Sequence, residues 1–227
     1  MTICVDSGTT TTLVAISEGD RSPELLRIGE LDAWMPSVVT WLDDATVVVG
    51  EEAERLEGAG ILTWRAAKLD LTHKPDKCRR LQTGRWVSGW EAMRHLLAEA
   101  LRRCVDQVQM DSQQLRNHKL TLACSAHAGS RYREGLVRVA RELGFGGTSL
   151  SAIHDEPSAA ALTLARYDRL IANTGAARQV LIYDFGGGTF DAAVVRVSPD
   201  RQVKLQSRYW LAAEHPASAA RQLTTEC

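Results

Sequence analysis

Residues 181–191 read Leu-Ile-Tyr-Asp-Phe-Gly-Gly-Gly-Thr-Phe-Asp. An apolar run ends in Asp184, then come Gly186, Gly187 and Gly188, a hydroxyl at Thr189 and a second acid at Asp191. Glycines without side chains let backbone N–H groups close on phosphate oxygens. Carboxylates on either side of such a turn offer hard oxygen to a hydrated cation such as magnesium. An ordinary hairpin with a glycine-rich turn has the same letters, so this segment alone leaves both readings open.

Residues 3–16, Ile-Cys-Val-Asp-Ser-Gly-Thr-Thr-Thr-Thr-Leu-Val-Ala-Ile, repeat the design. A short apolar strand ends at Asp6, Gly8 permits a tight turn, and Thr9, Thr10, Thr11 and Thr12 supply hydroxyls and N–H groups. Leu13 to Ile16 return as a second strand. Taken alone this is also a threonine-rich hairpin, because threonine is a good strand former. The two turns share one grammar, as an ancient duplication would leave it, with two hairpins gripping a phosphate chain from both sides. The chain has no Gly-x-x-x-x-Gly-Lys-Ser/Thr, so a P-loop fold is disfavoured.

Between the turns lies His154-Asp155-Glu156-Pro157-Ser158-Ala159-Ala160-Ala161-Leu162. Together the three segments resemble the seventy-kilodalton heat-shock (DnaK-type) chaperone family, within the wider group of actin and the sugar kinases. The family pattern is Asp-Leu-Gly-Thr-Thr, Glu-Pro-Thr-Ala-Ala-Ala and Asp-Leu-Gly-Gly-Gly-Thr-Phe-Asp. Pro36-Ser37-Val38-Val39 and Val49-Gly50-Glu51-Glu52-Ala53 also look like the family's early strands and helix start. The likeness runs from residue 2 to about residue 205.

The resemblance implies an α/β architecture, the actin-like ATPase (ribonuclease H-like) fold, with lobe I nearly complete and lobe II truncated. Residues 1–172 would form lobe I, with an inserted subdomain at about 36–104, and residues 173–227 would begin lobe II. It implies ATP and Mg2+ as cofactors. Asp6 and Asp184 would hold magnesium through water, Asp191, beyond Thr189, is a further candidate for the metal by its hard oxygen, and Thr9 and Thr10 would touch the phosphates. Lys68, in its Ala-Lys context, would contact the terminal phosphate and the attacking water. Glu156 would stand near that water, and Thr189 follows the glycines as in the family. A solvated surface lysine at 68 and an acidic helix start at 156 are the plain alternatives.

Three departures from the family stand out. Cys124-Ser125-Ala126 replaces Val-Pro-Ala, so Ser125 stands where the family has a proline linked to communication between domains, although Arg133 matches that proline's partner. After the second turn the family continues Gly-Asp-Thr-His-Leu-Gly-Gly, whereas this chain reads Arg208-Tyr209-Trp210-Leu211-Ala212-Ala213-Glu214-His215 and stops at Cys227. By this resemblance, the outer half of lobe II, the adenosine-holding residues and a peptide-binding domain are expected to be missing from residues 1–227.

The elements that must position these residues are partly legible. Strands are expected in residues 2–16, 25–30, 37–42 and 46–49, and a helix over 51–58. Pro75 and Gly84 make 70–87 read as a loop. Ser88 and Glu91 form a capping box, opening a helix with Trp90, Met93, Leu97, Leu101, Cys104 and Val108 at spacings of three and four. That stripe is packing. Residues 119–124 read as a strand, Ser130 as the cap of a helix ending near Leu143 before Gly144, and 155–170 as the Glu-Pro helix. Pro157 suits its first turn, and Asn173-Thr174-Gly175 breaks it. Residues 180–184, 192–197 and 202–207 form a small meander.

Bulk properties bound the rest. With 227 residues, 44% hydrophobic and 24% charged, the chain can bury a large core. A net charge of −1 gives no electrostatic case for nucleic acid or a membrane surface. The basic residues Lys74, Lys77, Arg79, Arg80 and Arg85 lack interleaved aromatics and read as a solvated face. Cys4, Cys78, Cys104, Cys124 and Cys227 include no Cys-x-x-Cys pair, which favours a reducing cytoplasm. Cys4 and Cys124 read as small buried hydrophobes. Asp6 opposes a signal peptide, and no apolar run approaches the roughly 20 residues of a membrane span. The tryptophans in 34–90 read as the core of the inserted subdomain, and His127 and His154 as structural.

The leading expectation is an ATP-binding and ATP-hydrolysing domain of a chaperone-like protein that assists folding. Its expected partners are ATP and ADP, co-chaperones or a missing C-terminal half, with no nucleic acid and no membrane. A non-catalytic regulatory or interaction module and a bacterial actin-like cytoskeletal ATPase are the alternatives.

Overall fold

The computed structural model describes residues 1–19, 21–58, 60–167, 176–186 and 189–212. Strands are β1 Thr2–Ser7, β2 Thr11–Ser17, β3 Glu24–Leu25, β4 Met35–Pro36, β5 Val38–Trp41, β6 Val47–Val49, β7 Leu62–Arg65, β8 Cys78–Arg80, β9 Trp86–Ser88, β10 Lys119–Cys124, β11 Leu150–Asp155, β12 Arg178–Phe185, β13 Thr189–Val197 and β14 Val203–Ala212. Helices are α1 Glu51–Arg55, α2 Ala67–His73, α3 Gly89–Val108, α4 Ser112–Arg116, α5 Ser130–Glu142 and α6 Glu156–Tyr167. Internal contacts divide the chain into two compact units, Met1–Cys124 with Ala128–Ile153, and Ser125–His127 with His154–Cys227. The contact boundary therefore places α6 with β12–β14, where the lobe reading kept residues 155–170 in lobe I.

The first unit is built on a mixed sheet in the order β11-β10-β1-β2-β3, with β4 also paired to β2. β1 runs parallel to β10 and antiparallel to β2. Alternation in β1 buries Ile3, Val5 and Ser7 and leaves Cys4 and Asp6 half-buried on the opposite face. Cys4 is thus not the buried hydrophobe expected from its apolar neighbours. Burial first, and the Asp6 carboxylate second, push its thiol pKa up. Cys124, by contrast, is buried.

The long helix α3 supplies most of the core. Ser88 Oγ accepts from the Glu91 N–H at 3.1 Å while Glu91 Oε2 accepts from the Ser88 N–H at 2.9 Å, the reciprocal capping box expected from the spacing. Met93, Leu97, Leu101 and Cys104 are buried, with Trp90 and Val108 packed at the edge of the cluster. Each such fully buried large side chain stabilises by about 1.5–3 kcal/mol. α5 ends as its sequence indicates, with Gly144 at φ 94° just past Leu143. Its N-cap is Gly129, with no side-chain cap bond, so Ser130 is the first helical residue and not the cap.

Residues 70–87 are not a loop. Asp70, in the first turn of α2, accepts from Trp64 Nε1 at 2.9 Å, Lys77 Nζ at 2.6 Å and Arg79 Nη2 at 3.3 Å. The Arg79 guanidinium also lies 4.6 Å over the Trp64 ring. Part of the basic stretch therefore folds back on one carboxylate, and β8 and β9 pair as a hairpin. Residues 25–30 are strand only at Leu25. Of the tryptophans between 34 and 90, Trp41 and Trp64 are core, whereas Trp86 is 63% exposed.

The second unit is the antiparallel meander β12-β13-β14 with α6 on one face. Val180, Ile182, Ala193, Val195, Val197, Val203 and Leu205 pack with Ala161 and Ala165 of α6. The two alanines have no side chain beyond Cβ, which lets the helix come close to the strands. On the opposite face Tyr183 and Phe185 are exposed, with Phe185 4.6 Å from Phe190 between ring centroids. Asn173-Thr174-Gly175 lies outside the described residues. Among the described residues, no helix is long and apolar enough to cross a membrane.

Candidate cation and phosphate site

Alternation along the hairpin decides where its acids point. Asp184 shares a sheet face with Val180 and Ile182, and Asp191 shares it with Ala193, Val195 and Val197. That is the face carrying α6. The two acids are also direct partners in the β12–β13 register, Asp184 opposite Asp191.

The helix start brings a third acid. Asp155 Oδ1 accepts from the Ser158 N–H at 2.9 Å and caps α6, which places Glu156 in the first turn beside buried Pro157. Carboxylate oxygens of Glu156, Asp184 and Asp191 lie within 4.8 Å of one another. Asp191 is only 6% exposed. Like charges directly opposite in a sheet are destabilising, and burial raises the cost of each charge. A cation among the three reverses both effects, and three carboxylates are the hard-oxygen donor set of magnesium or manganese. The residues present therefore fit a divalent cation.

His127 is the neighbour that sequence reasoning missed. Its Nε2 stands 3.8 Å from Asp191 Oδ1, and its ring hydrogen-bonds with the Tyr209 backbone. The His127 N–H donates to Ser125 Oγ at 3.2 Å, and the Arg208 guanidinium donates to the Ala126 carbonyl. Those contacts tie Ser125–His127 to β14. Burial foremost, with the Arg208 charge, holds the His127 imidazole below its ordinary pKa, against the opposing Tyr209 bond. His127 and Gly186 are 59 positions apart in sequence, and no local spacing signals their meeting. His154 is exposed at the end of β11.

The remaining expected residues belong to the first unit. Asp6 is half-buried near the end of β1, opposite Leu13. Gly8 N–H donates to the Thr11 carbonyl at 2.8 Å, and Thr10 O accepts from the Ser37 N–H at 2.8 Å. A Cβ on Gly8 would fall 2.7 Å from Thr11 O, so the turn itself demands glycine here. Thr9 and Thr11 are half-buried, Thr10 is exposed, and Thr12 Oγ1 pairs with Ser37 Oγ at 2.9 Å. Lys68 is in the first turn of α2 and only 9% exposed, which overturns a solvated surface lysine. The N-cap of its helix is Ala66, a non-glycine residue held at φ 53° and ψ 40°. That left-handed conformation costs roughly 1–2 kcal/mol.

Gly186 leads out of β12 and is exposed. Gly187 and Gly188 lie outside the described residues, as does the side chain of Thr189, whose backbone opens β13.

No family model matches the chain. It is similar to "Chaperone protein DnaK" of Stenotrophomonas maltophilia (strain R551-3), at 26% identity over 215 residues. That alignment takes in 86% of this chain and 32% of the relative, so the chain spans about a third of the length of the curated protein it matches. The resemblance read from the three motifs is thus supported, at low identity, by a likeness that extends over most of the chain.

Proposed function

We propose that this chain binds Mg-ATP and hydrolyses it, as the nucleotide-binding part of a heat-shock chaperone-like protein with the actin-like ATPase fold. The observation that carries the reading is the juxtaposition of Asp184, Asp191 and Glu156, whose carboxylate oxygens lie within 4.8 Å of one another beside a glycine turn. The Asp6-Ser7-Gly8-Thr9 turn supplies the same chemistry in the first unit, and similarity to DnaK supports both assignments.

Phosphoryl transfer asks little covalent chemistry of a protein and much positioning and charge neutralisation. Bound magnesium supplies charge neutralisation at the phosphate oxygens. Asp184 and Asp191 would hold it in the second unit, and Asp6 offers the matching carboxylate in the turn of the first. In each unit the turn's backbone N–H groups and hydroxyls, Thr9, Thr10 and Thr11 in the first and Thr189 in the second, would suit phosphate oxygens. Glu156 of the second unit would orient the attacking water and accept its proton, and Lys68 of the first has the charge that would offset a terminal phosphoryl group. ADP and phosphate are the products, co-chaperones the expected protein partners, and the cytoplasm the expected compartment.

Calorimetric titration of the purified chain with ATP, with and without magnesium, tests this. Micromolar, magnesium-dependent binding is expected. A well-folded sample that gives no heat of binding with ATP and magnesium overturns the reading.

A further inference from the structure

Only one face of the second unit's meander carries a helix. α6 packs on Val180, Ile182, Ala193 and Val195. Side chains alternate along a strand, so the residues between these form the other face. There Phe185 is 80% and Tyr183 60% exposed, with Leu181 and Tyr209 exposed beside them. Tyr183 and Phe185 both meet Phe190, at 6.1 and 4.6 Å between ring centroids. The exposed apolar area is on the order of 400 Å², a size at which such patches are often functional.

The same face changes character along the strands. At the end away from the glycine turn, Gln179 lies opposite Arg196, and Arg196 opposite Lys204. Gln179 Nε2 donates to Gln206 Oε1 at 2.8 Å, so the two amides satisfy each other. Arg196 and Lys204 are exposed, and none of the described residues on this face is acidic. The surface is therefore aromatic at one end and cationic at the other.

We propose that this face docks an amphipathic, acidic helix of a protein partner, with apolar side chains on Leu181, Tyr183 and Phe185 and carboxylates on Arg196 and Lys204. Three strands about 4.8 Å apart make a face roughly 10–14 Å wide, which is the width of one helix with its side chains. Charge decides among the occupants. A second copy of the chain would bring the same two cations and no acid to meet them. Residues 213–227 contain a single large apolar residue, Leu223, too little to cover the aromatic end. Asp184 and Asp191 lie on the α6 face, so this proposal does not rest on the nucleotide reading.

The test uses the full chain and two labelled synthetic helices, read by fluorescence anisotropy. Both carry leucine at spacings of three and four, and one has glutamate where the other has lysine. The acidic helix is expected to bind at least about tenfold more tightly than the basic one, and less tightly as salt is raised. Phe185→Ser should weaken that binding about tenfold or more. Arg196→Glu combined with Lys204→Glu should reverse the preference toward the basic helix. All three side chains are exposed, and should Phe185→Ser fail to fold, the charge-reversed variant still decides. Equal affinity for the two helices overturns the proposal, as does binding of neither, or a preference unchanged in the folded charge-reversed variant. A dimer seen by sedimentation and dissolved by Phe185→Ser assigns the face to a second copy and overturns it too.

Discussion

The Trp90 ring of α3 lies flush on Gly135 of α5, so close that a Cβ on the glycine would fall 2.1 Å from two ring carbons. Tyr132 touches the same ring at 5.6 Å between centroids, and the Arg138 guanidinium lies 5.5 Å over it. Gly135→Ala forces the indole out of this setting. A loss of about 1–3 kcal/mol is expected, as for overpacked cores, read by denaturant unfolding followed through tryptophan fluorescence. An unchanged midpoint would show that α3 and α5 are not packed this way.

Ser88→Ala removes the hydroxyl that accepts from the Glu91 N–H and leaves that donor uncapped, while the Glu91 carboxylate keeps the backbone N–H of residue 88. The expected cost is about 1 kcal/mol. Circular dichroism melting of the variant should show a lower Tm with the helical signal at low temperature retained. A variant as stable as the parent would mean that the box contributes nothing measurable.

Asp184→Asn should act in opposite directions on stability and binding. The neutral amide relieves the repulsion with Asp191, so the metal-free protein is expected to hold or gain roughly 0.2–1 kcal/mol. Magnesium-dependent ATP binding should weaken at least about tenfold. Unfolding without metal checks the first effect and calorimetry the second. Loss of stability together with unchanged binding would contradict the cation role.

Burial pushes the Cys104 thiol up to about 11 from its ordinary 9.0. The folded state therefore keeps a proton that the unfolded chain releases between those values. Its contribution to stability is fully present below pH 9.0 and is lost as pH rises toward about 11. Unfolding free energy should fall across that window, and Cys104→Ala should flatten the fall while lowering stability at neutral pH through the cavity it leaves. An equally steep alkaline decline in the variant would assign the slope to other groups.

What was legible in the sequence was local. The Ser88–Glu91 box, the α3 stripe, Gly144 and the meander each announce themselves within a few residues, and the structure has them. The failures lay where a distant partner decided the outcome. Residues 70–87 have loop composition, yet Asp70 gathers Trp64, Lys77 and Arg79 into a folded knot. Cys4 has apolar neighbours, but strand alternation turns it toward Asp6. Glu156, Asp184 and Asp191 were named separately by their motifs, and it took strand register and a helix cap to show them as one group. His127 carried no motif at all, because its place depends on a meeting with β13 and β14.

Strand register has a further consequence. Side chains alternate faces with period two, so a slip of one residue in β12 against β13 would part Asp184 from Asp191 and turn one of them to the aromatic side. Only the native pairing assembles the ion's ligands. A bound cation would thus act as a proofreader of this hairpin, stabilising the correct alignment and no other, so that metal availability during folding bears on whether the second unit reaches its proper form.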